Sequence, residues 1–245
     1  MSGDLDADKM DYVQRDSRFC GVAYGIYDIE RLLHTLTLRE IRRGGNWVLA
    51  IKEDGINAAE GFVMARYFMF LQVYFHRVRR IYDHHFENFL RIALGGTYPQ
   101  DIGAFSQWDD NRVAWLLHEA ARTGAPEASQ IMRREHFREV ASTSDHMNLA
   151  EEVLWSTMIQ EFLRVYPGTE HFIDESTKAP HGFQETELQV VLSLVEDMPI
   201  IKRSNLVASL KQILKRRLYV TRGNSGAIRK FCDGHHAKHR PSKGI

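Results

Sequence analysis

The chain has 245 residues, is 44% hydrophobic and 26% charged, and carries 32 Lys+Arg against 32 Asp+Glu. That length allows one large domain or two modest ones with ample core, and the charge balance excludes a global attraction to a polyanion. Two cysteines, Cys20 and Cys232, with no C-x-x-C, exclude a disulfide framework and fit a reducing cytoplasm.

Asp6 can cap a helix predicted from Ala7 to about Phe19, and the stretch from Gly21 to Gly25 breaks it. Asp28 can cap the next helix, IERLLHTL. LREIRR and NWVLAIK then flank Gly44-Gly45, the pattern of two short strands around a glycine turn. From Ile56 to Leu94 the chain contains no proline, and Gly61 is its one glycine. It reads as one central helix on the order of 50 Å long, ended by Gly95-Gly96 and Pro99. Further helices are predicted at 107–122, 126–134 and 149–165.

After Tyr166-Pro167-Gly168 the texture changes. HFIDES, ELQVVLSL and RRLYVTR read as strands, with a helix, NLVASLKQIL, among them. The fold class is therefore mainly α, with a long central helix, a short β-hairpin and a small α+β lobe. The organisation reads as a helical portion over 1–167, the α+β lobe over 168–230 and a basic tail over 231–245 that lacks an apolar pattern.

No apolar signal-peptide core opens the sequence. The most apolar run, FVMARYFMFLQVYF, is interrupted by Arg66 and Gln72 and falls short of the roughly 20 apolar residues that a membrane span requires. The reading is a cytoplasmic protein with no membrane partner. Residues 201–245 are rich in Lys and Arg with Asp233 as their one acid. Such an end is a solvated tail or, as the weaker alternative, an arm that touches nucleic acid.

The densest chemistry lies in DADKMDYVQRD, residues 6–16. On a helix Asp8, Tyr12 and Asp16 share a face at i, i+4, i+8, with Lys9 beside them. Asp11 and Arg15 point elsewhere and form an i, i+4 clip. The stripe offers carboxylate oxygens for a hard divalent metal, an ammonium for phosphate and a phenol that stacks while donating a hydrogen bond. The plainer alternative is that acids favour a helix N-terminus for its dipole. Downstream, Arg66, Phe70, Tyr74 and Arg77 fall on one face of the long helix, where an arginine and a tyrosine can address one ligand; the plainer alternative is an aromatic core with snorkelling arginines.

DADKMDYVQRDSRFCGV resembles the signature of the HD-domain phosphohydrolases, in the branch of the deoxynucleoside-triphosphate triphosphohydrolases: D-x-D-K/R-x-D-Y-x-x-R-D and a turn of small residues. GIYDIERLL and ARYFMFLQVYFHR are similar to that family's continuation, so the resemblance covers about residues 4–92 and is looser beyond. It implies the C-terminal portion of a helical HD-type domain. It also implies Asp8 as a metal ligand, Lys9 and Arg66 on phosphate, and Tyr12, Asp16 and Tyr74 against sugar and base. His76 and Arg77 match a histidine-basic pair near an effector nucleotide or a subunit contact.

The family's other metal ligands, a histidine and then a His-Asp pair, precede this aspartate. Seven residues stand before Asp8, and His-Asp occurs nowhere downstream. Asp83-His84-His85 and Asp145-His146 have the reverse order, and the former reads as helix packing. The expectation is an incomplete site for a divalent metal (Mg, Mn, Fe, Co or Zn). A truncation, a split enzyme completed by an HD-containing partner chain, and a regulatory subunit all fit. The chain alone would then be nearly inactive as a phosphohydrolase on a nucleotide triphosphate. A non-catalytic regulatory or assembly subunit, binding an effector nucleotide or a partner chain, is the alternative. The family's habit implies a homo-oligomer. Cys232, His235, His236 and His239 make a C-x2-H-H-x2-H string that zinc can use, although its spacing is not that of a standard finger.

Overall fold

Caps place the helices of the computed structural model, which describes residues 5–40, 47–181, 188–192 and 197–238, the last range including His236 and Lys238 by backbone alone. In chain order its elements are α1 (Ala7–Phe19), α2 (Ile29–Thr35), β1 (Leu36–Glu40), β2 (Trp47–Lys52), α3 (Ile56–Met69), α4 (Arg77–Ala93) and α5 (Ile102–Phe105). These are followed by α6 (Asp110–Arg122), α7 (Pro126–Met132), β3 (Arg138–Ser142), α8 (Leu149–Val165), β4 (His171–Lys178), β5 (Gln189–Val191) and β6 (Asp197–Pro199). The last four are α9 (Ile200–Arg203), α10 (Asn205–Ser209), β7 (Ile213–Val220) and α11 (Ser225–Lys238). Among the described residues the fold is mainly helical with two small sheets.

Two units share these elements. One consists of Met1–Tyr74 and Thr177–Ile213, the other of Phe75–Ser176 and Leu214–Ile245. The chain thus divides at Tyr74 and Ser176, and not at Tyr166-Pro167-Gly168, because strands far apart in sequence pair with one another. In unit one β1 and β2 form the expected hairpin, from Leu36↔Ile51 to Glu40↔Trp47; its Gly44-Gly45 turn lies outside the described residues. The strand expected at 187–194 is shorter, Gln189–Val191, and lies parallel to β2. It joins the sheet β1-β2-β5-β6 and so extends the N-terminal hairpin.

The α1 face that carries Met10, Val13 and Ser17 is buried at i, i+3, i+7. Ser17 Oγ donates to the Val22 carbonyl at 2.6 Å and accepts from Gly25 N at 3.1 Å. This folds the Gly21–Gly25 turn back on α1 so closely that a Cβ at residue 25 would lie 2.2 Å from the Val13 carbonyl oxygen. The core of this unit gathers Val13, Leu32, Ile51, Phe62, Met69 and Val190.

The long helix expected from Ile56 to Leu94 is broken. After α3 comes a π-turn, Phe70–Tyr74, and His76 at φ −61°, ψ 135° starts α4 anew. Its ring nitrogen accepts from Val78 N at 3.4 Å, as an N-cap does. Neither Gly nor Pro marks this spot. Helical hydrogen bonding there yields to side chains of β7: Arg217 Nη2 donates to the Phe75 carbonyl at 2.6 Å and Tyr219 Oη to the Arg77 carbonyl at 2.9 Å. π-turns inside helices mark functional sites often enough to be noted.

In unit two Ile81, His85 and Phe89 form the buried i, i+4, i+8 stripe of α4. Phe89 packs with Leu117, Ala121 and Ala128 of α6 and α7. The sheet β3-β7-β4 is covered by α8 and α11 through Val140, Trp155, Phe162, Leu218, Ile228 and Cys232. A buried polar network runs beneath: Arg80 and Arg217 both reach the Asp174 carboxylate, and Ser176 Oγ donates to it at 2.9 Å. Residues 231–238, expected as tail, are the second half of α11. Cys232 is fully buried there, because one face of the helix meets the sheet core. Among the described residues no helix is long and apolar enough to cross a membrane.

Candidate functional site

The Asp6 carboxylate caps α1 by accepting from Lys9 N at 2.7 Å, which sets the helix phase and with it the stripe of Asp8, Tyr12 and Asp16. The fold closes part of this stripe against the end of α3. Tyr74 Oη donates to Asp16 Oδ2 at 2.9 Å. The Tyr12 and Tyr74 rings meet edge-on with centroids 6.1 Å apart, and Phe70 meets Tyr74 the same way at 5.0 Å. Arg66, 5% exposed, places its guanidinium 5.6 Å from the Phe70 centroid and donates to the Pro180 carbonyl at 3.4 Å.

So Tyr12, Asp16, Arg66 and Tyr74 come together in unit one, joined through Phe70. Burial raises the Tyr74 phenol well above its ordinary pKa, and the hydrogen bond to Asp16 raises it further. Tyr74 is consequently a neutral donor at physiological pH, and Asp16 Oδ2 accepts its hydrogen bond.

The remaining residues of the motif stand differently. The Lys9 ammonium lies 3.0 Å from Asp6 Oδ2, so Asp6 holds the charge that the resemblance assigns to phosphate. Asp8 is exposed. Asp11 and Arg15 form the predicted clip at 2.9 Å. Among the described residues no group of three or more metal-ligating side chains gathers. Asp8 offers one hard carboxylate donor, which suits a divalent ion in kind but cannot hold one by itself.

His76 and Arg77 fall to unit two, beyond the break. The periodicity that put Arg77 on the face of Arg66 and Tyr74 ends at Phe75, because the π-turn and the cap at His76 reset the helix. Arg77 instead lines a cavity of about 200 Å3 with Arg138, Arg229, His136 and Tyr219. None of the three arginines has a carboxylate partner among the described residues. Arg229 donates to the Glu139 carbonyl, and Arg138 Nη1 lies 3.3 Å from His136 Nε2.

The Asp83-His84-His85 string does serve helix packing: His84 stacks on Phe172 at 3.7 Å and His85 is buried against Phe137. Burial pushes the Cys232 thiol up to about 11, so it is no ready thiolate ligand. Near it His235 faces Glu161 at 3.6 Å; the His236 side chain and His239 lie outside the described residues. Sequence reasoning missed Lys178, whose ammonium sits 4.8 Å from the Phe70 centroid. No local signal points to it, since more than a hundred residues separate it from Phe70.

A family model described as an HD associated region matches residues 27–161. The uncharacterized protein YwfO of Bacillus subtilis is 46% identical over 80 residues, which are 33% of this chain and 17% of that protein. An uncharacterized protein of Methanocaldococcus jannaschii is 43% identical over 83 residues, 34% of this chain and 18% of the other. Among solved structures, a hypothetical protein from Aquifex aeolicus matches with a TM-score of 0.80 at 32% identity, over 94% of this chain and 58% of that one. A phosphohydrolase from Bacteroides thetaiotaomicron shares the fold, with a TM-score of 0.61 at 19% identity over 90% and 62% of the two chains. The chain therefore spans less than two thirds of each of these relatives.

Proposed function

The chain belongs to the family of HD-associated regions, and from that membership we propose that it forms the nucleotide-gripping part of an HD-superfamily metal-dependent phosphohydrolase, acting on a deoxynucleoside triphosphate. The observation that carries this reading is the Tyr74–Asp16 hydrogen bond beside Tyr12, which joins residues 58 positions apart into one polar, aromatic-walled corner. Asp16 accepts from a sugar hydroxyl, Tyr74 donates from a phenol that stays protonated, and Tyr12 offers a ring face. Lys9 exchanges Asp6 for phosphate, and Arg66 adds positive potential from its buried position. Asp8 contributes one oxygen to a divalent ion whose other ligands come from an H…HD segment outside these 245 residues, in the same polypeptide or in a partner chain. That ion, when bound, supplies Lewis-acid activation of phosphate and water.

The test is thermal stabilisation by dNTPs with Mg2+ or Mn2+. A positive shift in the parent, reduced by Asp8→Ala and by Arg66→Ala, supports the assignment, whereas a shift that neither substitution changes overturns it. The 245 residues alone are nearly inactive; robust metal-dependent release of triphosphate by them would contradict the split-site part of the reading.

A second reading is favoured by the cavity of Arg77, Arg138 and Arg229. In this reading the chain is a regulatory or assembly subunit that binds an effector nucleotide in unit two, with His76 and Arg77 at an effector or homo-oligomer contact. Three arginines line this cavity beside Glu139, whose carboxylate is paired with Arg217, and such a lining suits a phosphate group. Loss of nucleotide binding in Arg138→Gln with no change in Arg66→Ala would select this reading over the first.

A further inference from the structure

A groove of about 670 Å3 runs between α1 and α2 in unit one, with Met10, Gln14, Arg18 and Phe19 on one wall and Ile29 and Leu33 on the other. Phe19 is 86% exposed and Leu33 51%. A small-molecule site of this size holds polar groups that converge inside it and fix the ligand. Here the polar side chains are engaged or stand at the rim: Gln14 Nε2 donates to the Tyr27 carbonyl at 3.2 Å, and Asp11 and Arg15 form their exposed ion pair. An apolar floor between charged edges is the form that receives an amphipathic helix.

The other sides of α1 are taken. Val13 and Ser17 face the core, and Tyr12 and Asp16 close on Tyr74. Asp8 stands on the ridge between that corner and the groove. Tyr12 follows it at i+4 on one side, and Asp11 and Arg15, at i+3 and i+7, line the groove on the other. Bonds from a divalent ion to its ligands are about 2.0–2.6 Å long, so a segment that brings further ligands to an ion on Asp8 must pack along this ridge. The corner has to stay open to nucleotide, which leaves the groove. Both solved relatives contain chain beyond the part matched here. We propose that the groove between α1 and α2 is the docking surface of the segment that carries H…HD, seated by an apolar helix stripe on Met10, Phe19, Ile29 and Leu33. This rests on the phosphohydrolase reading above.

The experiment puts benzoylphenylalanine in place of Leu33 or, as a control in the same unit, of Trp47, in the chain expressed from its own locus with whatever stands in frame with it. Leu33 and Trp47 are both exposed, so neither replacement disturbs the core. After irradiation of the cells, the crosslinked peptides are sequenced by mass spectrometry. The expected result is an adduct at position 33 with a segment that contains a histidine and a later His-Asp pair. Its yield is at least tenfold above any such adduct at position 47 and falls at least threefold with Phe19→Asp on the facing wall. An H…HD adduct without that excess, or indifferent to F19D, overturns the proposal and leaves the phosphohydrolase reading standing, since the segment then packs elsewhere. An adduct at position 33 with a second copy of the 245-residue chain overturns it and makes the groove a self-contact. Adducts with peptides of any other protein, or no adduct at either position, overturn both the docking surface and the reading it rests on.

Discussion

Tyr74 shows how one side chain acquires a role from its neighbours. Its phenol is half-buried, donates to Asp16, and is held far from ionisation by burial and by that carboxylate. Tyr74→Phe removes the hydrogen bond and leaves the ring contacts with Tyr12 and Phe70. The expected cost is about 1 kcal/mol in denaturant unfolding, the usual net worth of such a bond, with dNTP binding weakened at the same time. Unchanged stability and unchanged nucleotide binding together would remove Tyr74 from the site. The same scale explains why Lys9 is a poorer guide than the motif suggests. A lysine at i+3 from a capping aspartate is drawn to that aspartate, and the 3.0 Å ion pair with Asp6 is the outcome.

Among the elements, α4 carries the clearest pH dependence. His85 lies on its buried face, accepts from Phe137 N at 3.3 Å and packs on the Phe137 ring. Burial, with smaller contributions from His84 and His136, lowers its pKa to about 4 from 6.5. The unfolded chain thus binds this proton more readily than the folded one. The stability is fully present above about pH 6.5 and is lost as pH falls from there toward 4, by up to about 3 kcal/mol. His85→Gln keeps an acceptor for Phe137 N and should flatten that part of the profile in urea unfolding followed from pH 7 to pH 4. An identical slope in parent and variant would show that other groups carry it. The neighbouring break between α3 and α4 belongs to this scale too: two side chains of β7 take carbonyls that a continuous helix would use itself.

For the whole molecule, the chain belongs to the HD-associated regions, and among the described residues no group of three or more metal-ligating side chains gathers around Asp8, the carboxylate proposed above as a ligand. A single carboxylate leaves most of the coordination sphere of a divalent ion to water. Calorimetric titration of the 245-residue chain with Mn2+ should therefore give binding no tighter than about millimolar, the weak end of carboxylate sites. Micromolar binding abolished by Asp8→Ala would show a full ligand set within the chain.

Local chemistry made several features legible in the sequence. Asp6, Asp28 and the i, i+4 pair Asp11–Arg15 act over one turn, and the structure contains all three as read. The hairpin follows from two short strand patterns around Gly44-Gly45, read as 38–43 and 46–52 and observed as Leu36–Glu40 and Trp47–Lys52, and the mainly helical class follows from helical periodicity. The shared stripe of Tyr12 and Asp16 is fixed by helix geometry alone. Other features depend on partners that sequence spacing does not reveal. The parallel seat of β5 beside β2, the break at Phe75, the burial of Cys232 in α11 and the meeting of Lys178 with Phe70 each join segments tens to more than a hundred residues apart. The sequence by itself determined helix starts, charge pairs and the residue types of the polar, aromatic-walled corner, because caps and i, i+4 spacing are short-range. Only the tertiary structure decided which of those residues meet, since a buried hydrogen bond or a sheet register forms wherever packing brings the groups together, whatever their separation along the chain.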